Sequence, residues 1–378
     1  MAHADSRRHW MMVAVLSVAM LAGLVYMWRD YECCALEGFD PLLSDEHVEA
    51  ELKKGGSQDL FRVATGIYVQ SLSFESANDV QVTGRIWQRL PPGRTLPAGT
   101  QLGVLFPDAV SPHDGNLTPI YQNFVLPSGA VLNVWNFQVD LRQSFDYSAY
   151  PLDGKRIWIR FWTDDVENKL QLVPDLSAYT ETGVETRMGI SDSLVSGEWT
   201  VRHTFFGLEQ IVYRTDFGRQ SGVPGTTPRR PELWFYVVLE RNFTDAFLVN
   251  LVPLFVTLGL LFGLMMTVSR DPSAADRLGF STMSVFGACA GLFFISLVGH
   301  IQIREQFAGS QIVYIEYFYI LSYVVLLFVS VFSFAITYSE TPGDGWLMRH
   351  NGHNAKLFYW PTILFAILVL SMATLHYG

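Results

Sequence analysis

The sequence predicts an extracellular β-sandwich domain followed by a four-helix transmembrane bundle, with an extra hydrophobic helix at the N-terminus. Three observations lead to this fold class. One apolar segment lies at residues 10–28, and a long polar stretch rich in aromatic residues follows it. Four more apolar segments then come in close succession, at residues 246–268, 280–301, 312–338 and 357–375. Each is close to the roughly 20 residues with which a helix crosses a bilayer.

Composition limits the classes of function. The chain has 378 residues, 49% of them hydrophobic, and a formal net charge of −10. This acidic balance disfavours nucleic acid as a partner. The three cysteines, Cys33, Cys34 and Cys289, lie outside the predicted sandwich, so we expect no disulfide within that domain.

The first apolar segment, within residues 1–28, is either a cleaved signal peptide or a signal-anchor helix. Arg7 and Arg8 precede it, and the long uncharged run is followed by Arg29 and Asp30 before any small-residue cleavage site. The length of the run and the charges behind it favour the uncleaved anchor. The positive-inside rule places both arginines in the cytoplasm and the large domain outside.

The charges of the later loops support one topology. If the large domain is outside, the loops at 269–277 and 339–356 are cytoplasmic and the last helix ends outside. Both inner loops carry positive charge, as this topology requires, in Arg270, Arg277, Arg349 and Lys356.

Residues 29–60 form an N-terminal extension, in which residues 44–54 are predicted to be helical. Ser44 is the expected N-cap, and Glu46 and Glu49 follow in the first turns, where acidic side chains favour a helix start.

Residues 61–242 are predicted to form the sandwich, because short runs of β-branched and aromatic residues alternate with turn clusters. In one run Ile157, Ile159 and Phe161 alternate with Trp158 and Trp162, so the first three share one face and the two tryptophans share the other. This pattern predicts an antiparallel, immunoglobulin-like sandwich. The predicted strands lie at 67–74, 80–87, 131–141, 156–162, 199–206, 209–214 and 233–240.

No constellation typical of catalysis stands out in the sequence. We find no nucleophile elbow, phosphate-binding loop or paired-carboxylate pattern, and the histidines lack metal-ligand spacing. We therefore expect a protein that is not an enzyme and that uses no cofactor and no bound metal.

Three local patterns together resemble one family of membrane proteins. Residues 150–153 read Tyr-Pro-Leu-Asp, where Pro151 fixes a turn and Asp153 adds a charge. Arg241 ends the last predicted strand, and Pro253 lies inside the helix that follows. The four helices are joined by a short inner loop, an outer loop and a longer inner loop. These features resemble the pentameric ligand-gated ion channel family, in its prokaryotic branch, whose members lack the loop cysteines of eukaryotic members.

The resemblance covers residues 61–378 and implies an assembly. It implies a homopentamer in a bacterial inner membrane, surrounded by lipid, with the large domain in the periplasm. A small-molecule ligand would bind between neighbouring sandwiches and open a pore for inorganic cations, lined by the second of the four helices at residues 276–301. Taken singly, Pro253 also fits an ordinary membrane kink and Arg241 an interfacial cation.

The resemblance also implies a pore face. If Asp276 takes the family's acidic position at the inner mouth, five copies would form a ring that attracts cations, although the adjacent Arg277 is an alternative occupant. Helical spacing from Asp276 then predicts a pore face made of Gly279, Met283, Phe286, Ala290, Phe293 and Leu297. A shift of one residue would instead bring Thr282, Val285 and Cys289 to the pore.

Two alternatives to an open pore remain. Small residues in this helix also suit close helix packing without a pore. The predicted pore face is bulky and apolar, so Met283 and Phe286 would either close it by dewetting or prevent conduction. In the latter case the chain is a non-conducting, membrane-anchored sensor or binding protein.

The remaining site residues follow from the resemblance. Coupling between ligand and pore is expected from Glu75, Asp79, Tyr150, Pro151, Asp153, Arg241 and Arg304. Aromatic faces bind amines through cation–π contacts. The aromatic candidates for the ligand site are Trp87, Trp135, Trp162, Tyr213 and Phe217.

Overall fold

The chain divides into two compact units in a computed structural model. The helical unit comprises Met1–Cys33, Asp146–Asp153 and Asn242–Gly378, and the strand unit comprises Cys34–Phe145 and Gly154–Arg241. The structure describes residues 2–31, 40–55, 60–111, 117–164, 169–183, 186–192, 194, 198–213, 230–269, 282–307, 311–338, 346–347 and 349–376.

The chain begins with α1 (Ala2–Asp30) of the helical unit, and α2 (Asp45–Lys54) opens the strand unit. Two sheets follow, one of five strands in the order β3-β4-β2-β1-β6 and one of three strands in the order β5-β8-β7. The strands are β1 (Phe61–Phe74), β2 (Asp79–Leu90), β3 (Thr118–Val125), β4 (Val131–Arg142), β5 (Gly154–Phe161), β6 (Leu170–Pro174), β7 (Trp199–Ile211) and β8 (Arg230–Arg241).

Both sheets contribute to one hydrophobic core. Ile67 of β1 and Ile86 of β2 are fully buried in the same cluster as Ile157 of β5 and Phe235 of β8. Burying each such side chain stabilises the fold by roughly 1.5–3 kcal/mol. The alternation predicted for β5 is confirmed, because Ile157, Ile159 and Phe161 are buried while Trp158 is only partly buried.

The predicted helix after Ser44 is confirmed. The Ser44 hydroxyl accepts a hydrogen bond from the backbone N–H of His47 at 3.4 Å, as an N-cap does. Val48 and Leu52 of α2 are buried and join the core.

Three expectations about the strands need correction. The prediction of a purely antiparallel fold is wrong at β6, which pairs with β1 in parallel, with Phe61 opposite Leu170. The two strands predicted at 199–206 and 209–214 form a single strand, β7, which ends at Ile211. The strands β3 and β6 were not predicted.

The helical unit contains the remaining helices. They are α3 (Phe243–Ala246), a π-helical turn (Phe247–Leu251), α4 (Val252–Thr267), α5 (Thr282–Gln306), α6 (Tyr314–Tyr338) and α7 (Arg349–His376). Within the described residues five spans are long and apolar enough to cross a membrane: Arg7–Asp30, Phe243–Thr267, Thr282–Gln306, Tyr314–Thr337 and Gly352–Leu375.

Two boundaries bear on the predicted site. Pro253 is the second residue of α4, and α4 directly follows the π-helical turn, so two common causes of an irregular helix lie close together here. The helix α5 extends to Gln306, beyond residue 301 where the sequence analysis ends it, so Arg304 lies in its last turn.

The first helix packs along the last one within the helical unit. The ring of Trp10 lies 6.0 Å from that of His353 on α7. At the other end, Trp28 Nε1 donates a hydrogen bond of 2.8 Å to Tyr314 Oη, which in turn bonds to the hydroxyl of Ser371 on α7. The two helices therefore run in the same direction, which the predicted topology requires, because both would cross from the cytoplasm outward.

Candidate functional site

One face of α5 is packed against its own chain. Val285, Cys289, Ser296 and Ile303 are 2%, 4%, 3% and 2% exposed, and their successive spacings of four, seven and seven residues place them on one face of the helix. Thr282 Oγ1 donates a hydrogen bond of 3.0 Å to Thr337 Oγ1 of α6. Near the other end, a Cβ added to Gly299 would meet Tyr319 Oη at 3.0 Å, so the two helices approach closely there.

The predicted pore face lies away from this packed face. Met283 is 79% exposed, Phe286 is 40% exposed and Phe293 is 39% exposed, while Ala290 is exposed and Leu297 half-buried. The alternative register is less suited to line a path, because Val285 and Cys289 contact the interior of the helical unit.

The exposed surface of α5 is broader than the predicted stripe. Phe294, at 64% exposure, is freer than Phe293, whose ring lies 5.6 Å from that of Tyr323 on α6. Gly287 and Gly291 also lie on the exposed surface, and a Cβ added at either would meet no atom within 4 Å. This surface therefore combines small residues with large apolar ones.

Three of the predicted site residues lie outside the described residues. They are Asp276, for selectivity, Gly279, at the inner end of the pore face, and Phe217, in the ligand site.

The segment Asp146–Asp153, which connects strand-unit residues on both sides, packs within the helical unit. Its backbone carbonyls at Ser148 and Tyr150 accept hydrogen bonds from the N–H groups of Tyr314 and Ile315, at 2.8 and 3.2 Å. These bonds satisfy two of the donors that the start of α6 leaves unpaired.

Tyr150 is the buried centre of this segment. It is 2% exposed, its peptide bond to Pro151 is cis, and its ring lies 4.6 Å from that of Phe307, just after α5. Asn250 Nδ2 of the π-helical turn donates a hydrogen bond of 3.0 Å to Tyr150 Oη. Tyr150 therefore contacts both the end of α5 and the chain segment that leads into α4. Asp153, at the end of the segment, is also buried.

The outer end of α5 carries an ion pair. Arg304 lies 3.3 Å from Glu316 in the first turn of α6, and its guanidinium also donates to the carbonyl of Gln311. The Glu316 side chain is only 4% exposed. The ion pair therefore links the end of α5 to the start of α6 through a buried carboxylate.

The other coupling candidates lie in the strand unit. Arg241 ends β8, and its side chain is 2% exposed. It lies 2.5 Å from Glu198, and its guanidinium lies 4.1 Å from the Trp199 ring centroid.

The two acidic candidates lie at the turn before β2. Asp79 begins β2 and accepts a hydrogen bond of 2.8 Å from Arg142 of β4. That hydrogen bond lowers the pKa of the Asp79 carboxyl. Glu75, in the turn before β2, is exposed and accepts a hydrogen bond of 3.0 Å from the Ser73 hydroxyl.

The aromatic ligand candidates separate into two groups. Trp87 and Trp135 belong to the five-stranded sheet, where Trp87 Nε1 donates to Asp175 at 3.1 Å and Trp135 is 7% exposed. Trp162 follows β5 of the three-stranded sheet, and its ring makes an edge contact with Tyr213, with centroids 5.8 Å apart. Among the four candidates that the structure describes, Trp162 and Tyr213 are the pair that it brings into ring contact.

Three residues that the sequence reading missed complete this aromatic site. The Arg160 guanidinium lies 5.7 Å from the Trp162 ring centroid and 5.0 Å from that of Trp234. It donates hydrogen bonds to Tyr213 Oη at 2.7 Å and to Glu232 at 3.2 Å. The sequence pattern that could have indicated Arg160 is the alternation in β5, because it places Arg160 on the same face as Trp158 and Trp162.

The charged groups of this site are partly buried. Arg160 also pairs with Asp108 at 3.0 Å. Burial raises the pKa of the Asp108 carboxyl, and the attraction of Arg160 only partly opposes that shift. Burial and the hydrogen bond to Glu232 raise the pKa of the Tyr213 hydroxyl, so it stays protonated and donates to that carboxylate. The arrangement is suited to hold a planar cation between two indoles.

The described residues were also compared with the side-chain groupings that bind metal ions. Among them, no three side chains of the His, Cys, Asp or Glu types are grouped so that they could hold a metal ion.

Comparison with known proteins identifies no relative. No model of a known protein family matches the chain, and no curated protein matches it.

Proposed function

We propose that this chain is one subunit of a homopentameric, ligand- or stimulus-gated, cation-selective channel in a bacterial inner membrane. In this proposal the strand unit is a periplasmic β-sandwich, and a small molecule binds between neighbouring sandwiches. The last four apolar spans form the bundle of each subunit, and α5 lines the pore. The observation that carries the proposal is that one face of α5 packs against its own chain while the opposite face is exposed.

The last four spans differ in how much of each is buried within one chain. The most apolar window of α5 is 17% buried, compared with 28% for Phe243–Thr267 and 39% for each of the two later spans. The exposed surface of α6 suits lipid because it carries large apolar side chains such as Val324, Leu327 and Val331. The exposed surface of α5 combines large apolar side chains with Gly287, Ala290 and Gly291, and small residues suit contact with another helix or with water.

A path for ions needs more than one copy of such a helix. Identical subunits close most readily into a ring, and in a ring each α5 presents the same face to the axis. Five Asp276 carboxylates at the inner mouth would raise the local concentration of cations and exclude anions. Met283 and Phe286 would form an apolar constriction that closes by dewetting.

Gating requires a link from the ligand site to α5. Tyr150 contacts Phe307 and Asn250, so a displacement of the segment 146–153 would bias both the end of α5 and the entry to α4. A ligand shifts such an equilibrium only by its difference in affinity for the two states.

A second candidate function is a non-conducting sensor of the same architecture. The observation that favours it is the bulk of the exposed face, where Met283, Phe286 and Phe294 are all large and apolar.

The proposal is tested with purified full-length protein in detergent and in planar bilayers. We expect a particle with the mass of five subunits and, under a KCl gradient, a reversal potential near the potassium equilibrium potential. Asp276→Arg should shift that potential toward chloride, whereas Glu305→Arg, the same charge reversal at the outer end of α5, should shift it little. A monomeric particle would contradict the proposal, and a pentamer silent even as Phe286→Ser would favour the sensor.

A further inference from the structure

The aromatic site of the strand unit already contains a cation. The guanidinium of Arg160 lies within about 6 Å of two indole rings, which is the range of cation–π attraction, at 5.7 Å from Trp162 and 5.0 Å from Trp234. In a ligand site of the proposed kind, an amine or guanidinium ligand would take this same place.

We propose that Arg160 is the resident occupant of an organic-cation site, so that a free alkylguanidinium or alkylammonium ion binds there only when the arginine side chain is displaced or removed. The proposal rests on the ligand site of the proposed function, which it refines by stating which chemistry the site accepts and what fills it.

The groups around Arg160 are those that would recognise a free guanidinium. Asp108 accepts at 3.0 Å and Glu232 at 3.2 Å, each from a different terminal nitrogen of the guanidinium. Together, the two carboxylates supply hydrogen-bond acceptors for the guanidinium, and Trp162 and Trp234 each supply a ring face. Carboxylate pairs of this kind match the fork of a guanidinium better than they match a single ammonium.

Electrostatic attraction favours the binding of a free cation once the Arg160 side chain is removed. With Arg160 in place, one cation faces the two carboxylates of Asp108 and Glu232, whose side chains are only 17% and 14% exposed. Removing the guanidinium leaves both carboxylates partly buried without their cation, which is costly. A free guanidinium of the same shape would restore the balance.

Competition explains why the intact site would resist free ligands. A covalently attached group competes at an effective concentration in the millimolar range or above. Arg160 therefore outcompetes a free cation of similar affinity. Arg160 also donates to Tyr213, so the occupant holds a residue that lies two positions after the end of β7.

The experiment is a chemical rescue with the full-length protein in detergent. Arg160→Ala is titrated with n-propylguanidinium, and its thermal midpoint and tryptophan fluorescence are followed. The neutral ligand n-propylurea is the matched control, and Arg142→Ala, which removes an exposed arginine paired with Asp79, is the matched variant.

We expect Arg160→Ala to melt below the wild type and n-propylguanidinium to restore its midpoint saturably, with half-saturation on the order of 1 mM. The wild type and Arg142→Ala should respond at least about tenfold more weakly, and n-propylurea should not restore any of them. Arg160→Ala with Glu232→Gln should lose most of the rescue. Equal responses of Arg160→Ala and wild type, or equal effects of the two ligands, would overturn the proposal.

If Arg160→Ala yields no folded protein, Arg160→Gln is titrated in the same way, and both variants are also extracted in the presence of each ligand. Recovery of folded protein with n-propylguanidinium alone supports the proposal, and failure with both ligands overturns it. None of these readouts needs a current, so their failure leaves the proposed conduction intact, and a silent channel leaves the binding result intact.

Discussion

Trp28 donates a hydrogen bond of 2.8 Å to Tyr314 across 286 positions of sequence. Both side chains are buried, at 8% and 1% exposure, and the ring of Trp28 also lies near Phe243, Phe247 and Phe318. The first helix is therefore an integral part of the helical unit, although the sequence patterns that resemble a channel family do not include it.

Breaking this bond should destabilise the helical unit. Trp28→Phe leaves the buried Tyr314 hydroxyl with one partner fewer, at a cost of about 1–3 kcal/mol. The measurement is the free energy of unfolding in mixed detergent, with Tyr314→Phe and the double variant completing a cycle. Trp10→Phe, at the other end of the same helix, keeps an aromatic contact with His353 and should cost less. A Trp28→Phe protein as stable as the wild type would contradict the assignment.

The same packing predicts that the first helix is retained after export. A signal peptidase that removed it would also remove Trp10 and expose the α7 surface around Leu368, which Gly23 approaches. Intact-mass spectrometry of the membrane-extracted protein should therefore show the full 378-residue chain. A mass lacking the first 28 or so residues, the span of a signal peptide, would show that the contact does not exist in the mature protein.

Much of the strand pattern followed from alternation, and its failures have physical causes. The strand β5 alternates strictly because one face packs into the core. In β3 every residue is exposed, so the strand has no buried face that would impose an alternation of apolar and polar residues. The strand β6 is short and buried almost throughout, which is typical of a strand that pairs in parallel. The interruption predicted within β7 is Gly207, where an added Cβ would lie 3.0 Å from the Tyr236 ring.

The candidate sites were predictable in part. The helical period of α5 separated Met283 and Phe286 from Val285 and Cys289, but periodicity cannot say which face the rest of the chain covers. The role of Arg160 was missed because its partners Asp108, Tyr213 and Glu232 are distant in sequence and meet only through strand pairing.

The contact between Tyr150 and Asn250 should act on gating. Removing the hydroxyl in Tyr150→Phe deletes a hydrogen bond of 3.0 Å, and Asn250→Ala deletes the same bond from the other side. We expect each to cost roughly 0.5–1.5 kcal/mol and the pair to be non-additive. The measurement is the stimulus dependence of the current, which should shift in the same direction for both variants. Additive effects of opposite sign would show that the bond does not act as a unit.

Neighbouring residues on the two faces of α5 should respond in opposite ways to the same change. Phe286→Ser places a hydroxyl on the exposed face and should raise the resting current, because a polar ring is harder to dewet. Val285→Ser places the hydroxyl on the packed face, where Val285 is 2% exposed, and should lower stability by about 1–3 kcal/mol without raising the current. The readouts are resting current in planar bilayers and thermal midpoint. An increased current in Val285→Ser alone would assign the pore to the other face.

The most direct test of the central claim, that α5 lines an ion path, is thiol modification during current recording. In a background where Cys33, Cys34 and Cys289 are replaced, Ala290→Cys places a thiol on the exposed face and Val285→Cys places one on the packed face. A charged, membrane-impermeant thiol reagent should change the current through Ala290→Cys within seconds and leave Val285→Cys unaffected. An Ala290→Cys channel that conducts but shows no effect would contradict the claim.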